Sequence, residues 1–269
     1  MCGICDAEAL GGVQKTGWQR RDLMRAFAGG AAALALPACA NSVNPETGRE
    51  QLILIDESQL QQAALQAWAQ QVQQTPTWNN RAAQQRLERV GTRIVTAAGR
   101  GGQPWEFRLF DTPDKNAFVL PGNKVGFYRG LYEMCQVEDW MAIVLGHETG
   151  HVIGRHAAER YSREMVTQTA LQVAGAQINS RIATAALGLG AQVGLSLPFS
   201  REQESEADIL GINYAHSAQF DVRQAIPFWT AMSSGGGSRP PEFLSTHPDP
   251  ANRVERLRAY INQQGWGPA

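Results

Sequence analysis

The feature that most constrains this chain is the pentapeptide HETGH at residues 147–151, set in an apolar segment that runs from Trp140 to Gly154. Residues four apart on an α-helix lie on one face, so His147 and His151 would project together. This spacing suits two ligands of one zinc ion, and Glu148 can then act as general base toward a water on the metal. The apolar flanks predict a buried helix. We therefore predict a metal-binding helix, the alternative being two histidines that only pack or cap it.

A catalytic zinc ion needs a third protein ligand besides an open position for water. The pattern HExxHxxGxxH supplies a third histidine, but Ala157 occupies that position here. His156 is the nearest histidine, and on a continuing helix it would point about 140° away from His151. We therefore expect His156 to lie at the surface or behind the ligands, out of reach of the metal.

A carboxylate is the better candidate for the third ligand. Glu204 and Asp208 are four apart on a predicted helix and share a face, whereas Glu206 points elsewhere. Glu204 can complete a His-His-Glu site, and Asp208 can accept a hydrogen bond from the far nitrogen of a ligand histidine. Alone, this acidic stretch would predict a solvated helix face. Together with the HETGH motif, it predicts the third metal ligand and the group that orients a ligand histidine.

Four segments carry a resemblance to one family, in the family's order and over about residues 44–260. They are NAFVLPG at 116–122, HETGH at 147–151, ESEAD at 204–208, and FLSTHP at 243–248 followed by Arg253. The sequence resembles the HtpX-like zinc metallopeptidases, which include CAAX prenyl endoproteases, OMA-type peptidases and bacterial periplasmic peptidases. The resemblance implies a mainly α (α+β) fold of gluzincin type, helical, with a small β-sheet flanking the zinc cleft.

The resemblance also implies which side chains surround the metal, one Zn²⁺ per chain. The ligands would be His147, His151 and Glu204, with Asp208 behind them. His247 would be a fourth ligand, a stabiliser of the tetrahedral oxyanion, or only a cap before the last helix. As a fourth ligand it would leave the resting enzyme self-inhibited, because the open coordination position would be filled. Arg253 would hold the oxyanion or pair with Asp208.

Hydrophobic periodicity predicts the elements around the site. They are helices at 57–74 and 80–98, a strand at 105–110, strands at 117–120 and 124–128 around a Pro-Gly-Asn turn, and a helix at 220–232. Leu60, Ala64, Leu65 and Trp68 should share one face of the first helix. Phe228 and Trp229 should lie in the core.

By resemblance, the second strand of the predicted hairpin lies at the sheet edge beside the zinc. An extended substrate would add to it through main-chain hydrogen bonds, which need no sequence in common among substrates. The residues of this expected substrate strand are Lys124, Val125, Gly126, Phe127 and Tyr128. The alternative is an ordinary hairpin without a substrate role.

Residues 1–38 predict a signal peptide. The pair Arg20-Arg21 opens a basic stretch, and the apolar run that follows is too short to span a membrane. The pair resembles a twin-arginine signal. The sequence LPAC at 36–39 resembles a lipobox, which predicts a lipid on Cys39 and a polar tether over 39–50. Ordinary cleavage is the alternative, and Met24 is an alternative start.

Cysteine usage and charge exclude other classes of protein. Only Cys135 would remain beside the lipidated Cys39, so no disulfide framework is expected, and residues 51–269 must fold around a core as one peptidase domain. The net charge is −1 without a basic block beyond the signal, so nucleic acid is not an expected partner.

The nearly uncharged residues 182–197 favour a buried or membrane-facing helical hairpin over a transmembrane helix.

Together these features predict a zinc metalloendopeptidase that hydrolyses peptide bonds with Glu148 as general base and without a covalent intermediate. The expected substrates are misfolded or unfolded proteins, met on the periplasmic side of a Gram-negative envelope, with the chain anchored in the outer membrane through Cys39. The competing hypothesis is a lipoprotein chaperone or adaptor whose zinc is structural or blocked by His247. Glu148 favours the enzyme, because a structural zinc site does not need it. No motif here encodes the natural substrates or the oligomeric state.

Overall fold

The computed structural model describes residues 41–173, 198–234, 242–248 and 252–267, with the side chains of all but 41 and 168–173. The strands are β1 (Asn41–Val43), β2 (Glu50–Leu52), β3 (Glu106–Phe110), β4 (Ala117–Leu120) and β5 (Lys124–Tyr128). The helices are α1 (Glu57–Gln74), α2 (Arg81–Ala97), α3 (Arg129–Met134), α4 (Glu138–Ile153), α5 (His156–Val173), α6 (Arg201–Ser217), α7 (Ala225–Ser234), α8 (Phe243–Thr246) and α9 (Arg253–Gln263). The predicted mainly helical fold with a small sheet is confirmed.

Some sequence-based expectations concern residues outside the described ones. They are the signal peptide, the lipid on Cys39 and the helical hairpin at 182–197. Within the described ranges, no helix combines the length and the apolar character that crossing a membrane requires.

Helix α4 lies at the centre of the fold. Every residue from Met141 to His151 is buried, as expected for a helix that is apolar on most of its faces. It packs against α6, α2 and β4. Glu138 and Asp139 lie in its first turn, where negative charge suits the positive end of the helix dipole. The prediction of a buried helix around HETGH is confirmed.

Helices α1 and α2 form where periodicity predicted them. Asn80 caps α2 by accepting a 3.1 Å hydrogen bond from the Ala83 N–H. The expectation for Leu65 is wrong, because this side chain is 48% exposed whereas Leu60 and Trp68 are buried. Leu65 lies about 140° around the helix from Leu60, beyond the face that α1 turns to the sheet. Phe228 and Trp229 are buried in α7, as predicted.

The three-stranded sheet has the order β3-β5-β4. Strand β5 pairs in parallel with β3 and antiparallel with β4. The predicted hairpin is confirmed, but the expected edge position of its second strand is wrong. β5 already hydrogen-bonds on both sides, so its main chain cannot accept a substrate strand. This correction applies to Lys124, Val125, Gly126, Phe127 and Tyr128. The edge strands are β3 and β4, and of these β4 packs against α4.

The thiol of Cys135 lies in the core just after α3. Burial raises its pKa to about 12. The thiol must therefore stay neutral in the fold but ionises near pH 9 in the unfolded chain. Its contribution to stability is complete below about pH 9 and is lost as pH rises toward 12.

We accordingly expect the parent protein to lose stability relative to Cys135→Ala above pH 9, by about 1.4 kcal/mol per pH unit. Urea unfolding of both proteins at pH 8 and pH 10.5 measures this difference, and other titrating groups cancel in the comparison. A difference that does not change with pH would contradict it.

Candidate metal centre

Two helices bring the donor side chains together through direct backbone contact. A Cβ on Gly146 of α4 would lie 2.6 Å from the carbonyl oxygen of Gly211 on α6. A Cβ on Gly150 would lie 2.8 Å from the carbonyl oxygen of Ala207. No side chain fits at such separations, so glycine allows the two backbones to touch. The histidines of α4 consequently face the acidic side chains of α6.

Four buried groups converge beside this contact, namely His147, His151, Glu204 and His247. His147 Nε2 lies 3.1 Å from His151 Nε2 and 3.3 Å from His247 Nδ1. Glu204 Oε2 lies 3.4 Å from His147 Nε2, whereas Glu204 Oε1 lies 3.4 Å from His151 Nε2 and 3.1 Å from His247 Nδ1. Ligand atoms around a tetrahedral zinc ion are about 3.3 Å apart, since each bond is about 2.0–2.1 Å long. These separations suit one small cation bound by all four groups.

The charge of the site also favours a cation. Burial lowers the pKa of His147, but Glu204 and Asp208 outweigh this effect and raise that pKa to about 9. Burial opposes ionisation of Glu204, but His247 and His147 hold its pKa well below the usual range. Glu204 is therefore anionic at neutral pH. Surroundings that favour a proton on a buried imidazole favour a metal cation as well.

Asp208 and Arg253 lie behind the donors. Asp208 Oδ1 lies 2.9 Å from His147 Nδ1, which leaves His147 Nε2 to face the other donors. Arg253 donates from Nε to Asp208 Oδ2 at 2.8 Å and from Nη2 to Glu204 Oε2 at 2.6 Å. Its guanidinium also stacks 4.0 Å from the centre of the Trp229 ring. Of the two roles considered from the sequence, this geometry supports pairing with Asp208, and it adds a contact with Glu204.

Glu148 is buried beside the donors but is not one of them. Neither of its carboxylate oxygens makes a hydrogen bond of ordinary geometry to the described residues. His247 Nε2 lies 3.5 Å from Oε1. Burial raises the pKa of Glu148, against the opposing effects of His247 and His147. The Val119 N–H also lowers this pKa in part, but the balance stays upward, and a buried carboxylate with a raised pKa is suited to accept and release a proton.

The segment that carries His247 is docked on the site. The His247 ring stacks on Phe243 with centroids 4.3 Å apart, and the backbone N–H of His247 donates to the Phe243 carbonyl at 2.8 Å. The Phe199 N–H donates to the Thr246 carbonyl at 3.1 Å, and the Phe199 ring stacks on His151 at 3.8 Å. His247 Nδ1 therefore lies among the donor atoms, the arrangement expected of a fourth ligand.

The position of His156 differs from the sequence-based expectation. Helix α4 ends at Ile153, and Arg155 has φ +52°, so the chain turns before α5 begins. This turn brings the buried His156 ring back toward the site, with its Nδ1 2.8 Å from His151 Nδ1. The surface position is wrong because the helix does not continue. The position behind the ligands agrees with the structure.

Glu206 is not among the donors, as expected from its position on the helix, but it is buried behind them rather than on a solvated face. It accepts hydrogen bonds from His156 Nε2 at 3.0 Å and from Arg49 Nε and Thr47 Oγ1. Burial opposes its ionisation, but these donors lower its pKa to about 2. Arg49 also donates to the buried Glu159 at 2.7 Å. Sequence reasoning missed Arg49 and Glu159, and the only signal was a basic residue inside an otherwise polar tether.

Comparison with known proteins relates residues 81–261 to the model of peptidase family M48. Mitochondrial metalloendopeptidase OMA1 of Schizosaccharomyces pombe is 35% identical over 179 residues, which are 65% of this chain and 52% of that protein. Metalloendopeptidase OMA1 of Bos taurus is 31% identical over 241 residues, 82% of this chain and 46% of that protein. The beta-barrel assembly-enhancing protease of Escherichia coli is 30% identical over 200 residues, 70% of this chain and 41% of that protein.

The chain spans about half the length of the curated relatives it matches. The family match covers more than half of the chain, and all four donor residues lie within it. Sequence and donor geometry therefore agree, and this chain belongs to peptidase family M48.

Proposed function

We propose that this chain is a zinc-dependent endopeptidase that cleaves unfolded or misfolded proteins. The observation that carries the proposal is the convergence of four buried donor groups, whose ligand atoms all lie within 4.8 Å of one another and whose closest pairs are 3.1–3.4 Å apart. Three imidazoles and one carboxylate form a donor set that zinc prefers. Arg253 offsets part of the negative charge behind the donors. The residues therefore fit a zinc ion held by His147, His151 and Glu204, with His247 as the exchangeable fourth ligand.

The chain's own residues account for the proton transfers of hydrolysis. Zinc, when bound, supplies a Lewis acid that polarises the scissile carbonyl and lowers the pKa of water. Glu148 takes the proton of the attacking water and passes it to the leaving amine. Its raised pKa suits this exchange, and its burial keeps bulk water from competing for the proton. Asp208 holds the Nδ1 proton of His147, so that the Nε2 lone pair is available to the metal.

Strand β4 offers the substrate a sheet edge. Among the described residues, no strand pairs with the side of β4 opposite β5. The Tyr128 N–H donates to the Asn116 carbonyl at 3.0 Å, and antiparallel pairing alternates, so the main chain of Ala117 and Val119 faces the open side. A cleft of about 700 Å³ runs along this edge, lined by Leu60, Val119, Leu120, His151 and Phe199. An extended peptide added to β4 would reach the donors at its end.

We expect Val119→Pro to raise the Michaelis constant at least tenfold at unchanged zinc content, because proline removes an N–H on the open side without touching the ladder to β5. The same N–H interacts with Glu148, so kcat should change as well, and the Michaelis constant is the readout for β4. Val119→Ala is the matched control, since it keeps the N–H, and it should bind substrate like the parent. Steady-state kinetics on a fluorogenic peptide measures both variants. N-methylation of the peptide at successive positions tests the same hydrogen bonds from the substrate side. Equal Michaelis constants for the two variants would rule out β4 as the substrate strand.

Incubation with unfolded casein tests the activity itself. We expect the protein to cleave casein, to stop when a chelator removes zinc and to resume when zinc is restored, because the donor set is the only source of the Lewis acid in this proposal. Gel electrophoresis of the fragments measures cleavage. Cleavage that continues in the chelator at zero zinc content would contradict a metal mechanism.

The position of His247 favours a second candidate state, in which the site is blocked at rest. His247 fills the fourth place among the donors and lies 3.5 Å from Glu148. His247→Ala in the casein experiment separates the two states. Faster cleavage by this variant indicates a self-blocked peptidase. Zinc binding without cleavage by parent and variant alike would favour the chaperone or adaptor hypothesis.

The cellular setting of the proposal rests on residues 1–50. A signal peptide over 1–38, a lipid on Cys39 and a tether over 39–50 would hold the peptidase domain at the outer membrane, on the periplasmic side of a Gram-negative envelope. The similarity to a beta-barrel assembly-enhancing protease supports this setting, whereas the similarity to mitochondrial metalloendopeptidases supports the chemistry alone. Metabolic labelling with a palmitate analogue, absent in Cys39→Ala, would test the anchor.

A further inference from the structure

A chain of hydrogen bonds leads from the ligand His151 away from the metal site. His151 Nδ1 lies 2.8 Å from His156 Nδ1, and His156 Nε2 lies 3.0 Å from Glu206 Oε2. His156 is fully buried and Glu206 is 8% exposed. The proposed proton transfers use neither residue. Their arrangement is specific, because each ring nitrogen of His156 has one partner at hydrogen-bond distance.

The metal site determines the direction of these hydrogen bonds. His151 Nε2 faces the donors, 3.1 Å from His147 Nε2, so the proton of a neutral ring must lie on Nδ1. His156 Nδ1 must then accept that proton's hydrogen bond. The proton of His156 consequently lies on Nε2 and is donated to the anionic Glu206. Only this direction of donation gives each of these hydrogen bonds one donor and one acceptor.

The end of this chain of hydrogen bonds is held by the hairpin of β1 and β2. Glu206 accepts hydrogen bonds from Arg49 Nε, from Thr47 Oγ1 and from Asn44 Nδ2, the last at 2.7 Å. The other end of the Arg49 guanidinium donates to Glu159 at 3.0 and 2.7 Å. The carboxylates of Glu206 and Glu159 thus share the Arg49 guanidinium. Burying both carboxylates without this cation would destabilise the fold. The hairpin therefore fixes the position and the charge of Glu206.

We propose that the N-terminal hairpin is part of the metal centre, and that it acts through Arg49, Glu206 and His156 to orient the ligand His151. His156 is a positioning residue that does not bind the metal. The inference rests on the proposed metal site. It makes the two ligand histidines unequal, because His147 is held directly by Asp208 whereas His151 is held through a neutral imidazole.

Zinc affinity, measured by competition with a chromogenic chelator, tests this inference on the whole protein. We expect His156→Phe to weaken zinc binding about 10–100-fold, the range typical of partners that orient a ligand. Arg49→Met and Glu206→Gln should weaken it less but in the same direction. His216→Phe is the matched control, since His216 is exposed and stacks on Trp266 away from the site. It should bind zinc like the parent.

Two further readouts distinguish orientation of His151 from general support of the fold. His156→Asn keeps an acceptor near the position of Nδ1, so it should recover part of the affinity that His156→Phe loses. If the phenylalanine variant folds poorly, the comparison of His156→Asn with the parent carries the test. The visible bands of the cobalt-substituted protein should shift in His156→Phe and not in His216→Phe. A parent that binds no zinc would refute the proposed function. If the parent binds zinc and both His156→Phe and His156→Asn bind it as tightly as the parent, the inference is overturned and the proposed function stands.

Discussion

Replacement of Glu148 by glutamine should lower kcat for peptide hydrolysis by about 10²–10⁴-fold, the contribution expected of a general base. Glutamine has the same shape but cannot take a proton at neutral pH. Because the Glu148 oxygens make no hydrogen bond of ordinary geometry to the described residues, and the amide oxygen of glutamine keeps the interaction with the Val119 N–H, the substitution removes little structural support. We therefore expect the zinc content and the thermal midpoint of Glu148→Gln to match those of the parent.

The measurement is kcat on a fluorogenic peptide at matched zinc content, beside Glu138→Gln as control. Glu138 lies in the first turn of the same helix, where it pairs with Arg89 at the surface, so its replacement should leave kcat unchanged. A Glu148→Gln enzyme that keeps more than about a tenth of the parent kcat would exclude Glu148 as the base.

Replacement of Arg253 by methionine should destabilise the protein by about 3–5 kcal/mol, the cost of breaking a buried ion pair from one side. Arg253 is 3% exposed and donates to both Glu204 and Asp208. Without it, two buried carboxylates lose a cationic partner, and the guanidinium no longer holds Glu204 and the Asp208 that orients His147. The same variant should therefore bind zinc more weakly.

Urea unfolding with zinc present and with a chelator measures both effects. Arg89→Met is the control, because Arg89 pairs with Glu138 on the surface, where an ion pair contributes little. If Arg253→Met unfolded at the same urea concentration as Arg89→Met in both conditions, Arg253 would have no such role in holding the site.

The parts of this site that the sequence predicts are those set by local helix geometry. His147 and His151 share a helix face because they are four residues apart, and the same holds for Glu204 and Asp208. Arg49 belongs to the site through contacts with Glu159 and Glu206, 110 and 157 residues away. No periodicity encodes a contact of that kind, so sequence reasoning could not find it.

Single backbone angles account for other differences. Arg155 adopts φ +52°, an unusual conformation for a residue other than glycine, asparagine or aspartate, and this one angle moves His156 from a surface position to the site. In the sheet, turn residues predict the β4–β5 hairpin, but they do not determine which of its strands pairs with β3. That choice depends on the non-local parallel pairing of β3 with β5, and it moves the open edge to β4.

The glycine contact between α4 and α6 has a consequence for how the metal is acquired. Because the backbones touch at Gly146 and Gly211, the distance between the ligand-bearing helices is at its steric minimum and does not depend on flexible side chains. The donors are therefore preorganised, and little conformational entropy is lost when a cation arrives. Metallation would then be limited by the entry path rather than by folding around the ion, in contrast to small zinc domains that are unfolded without their metal.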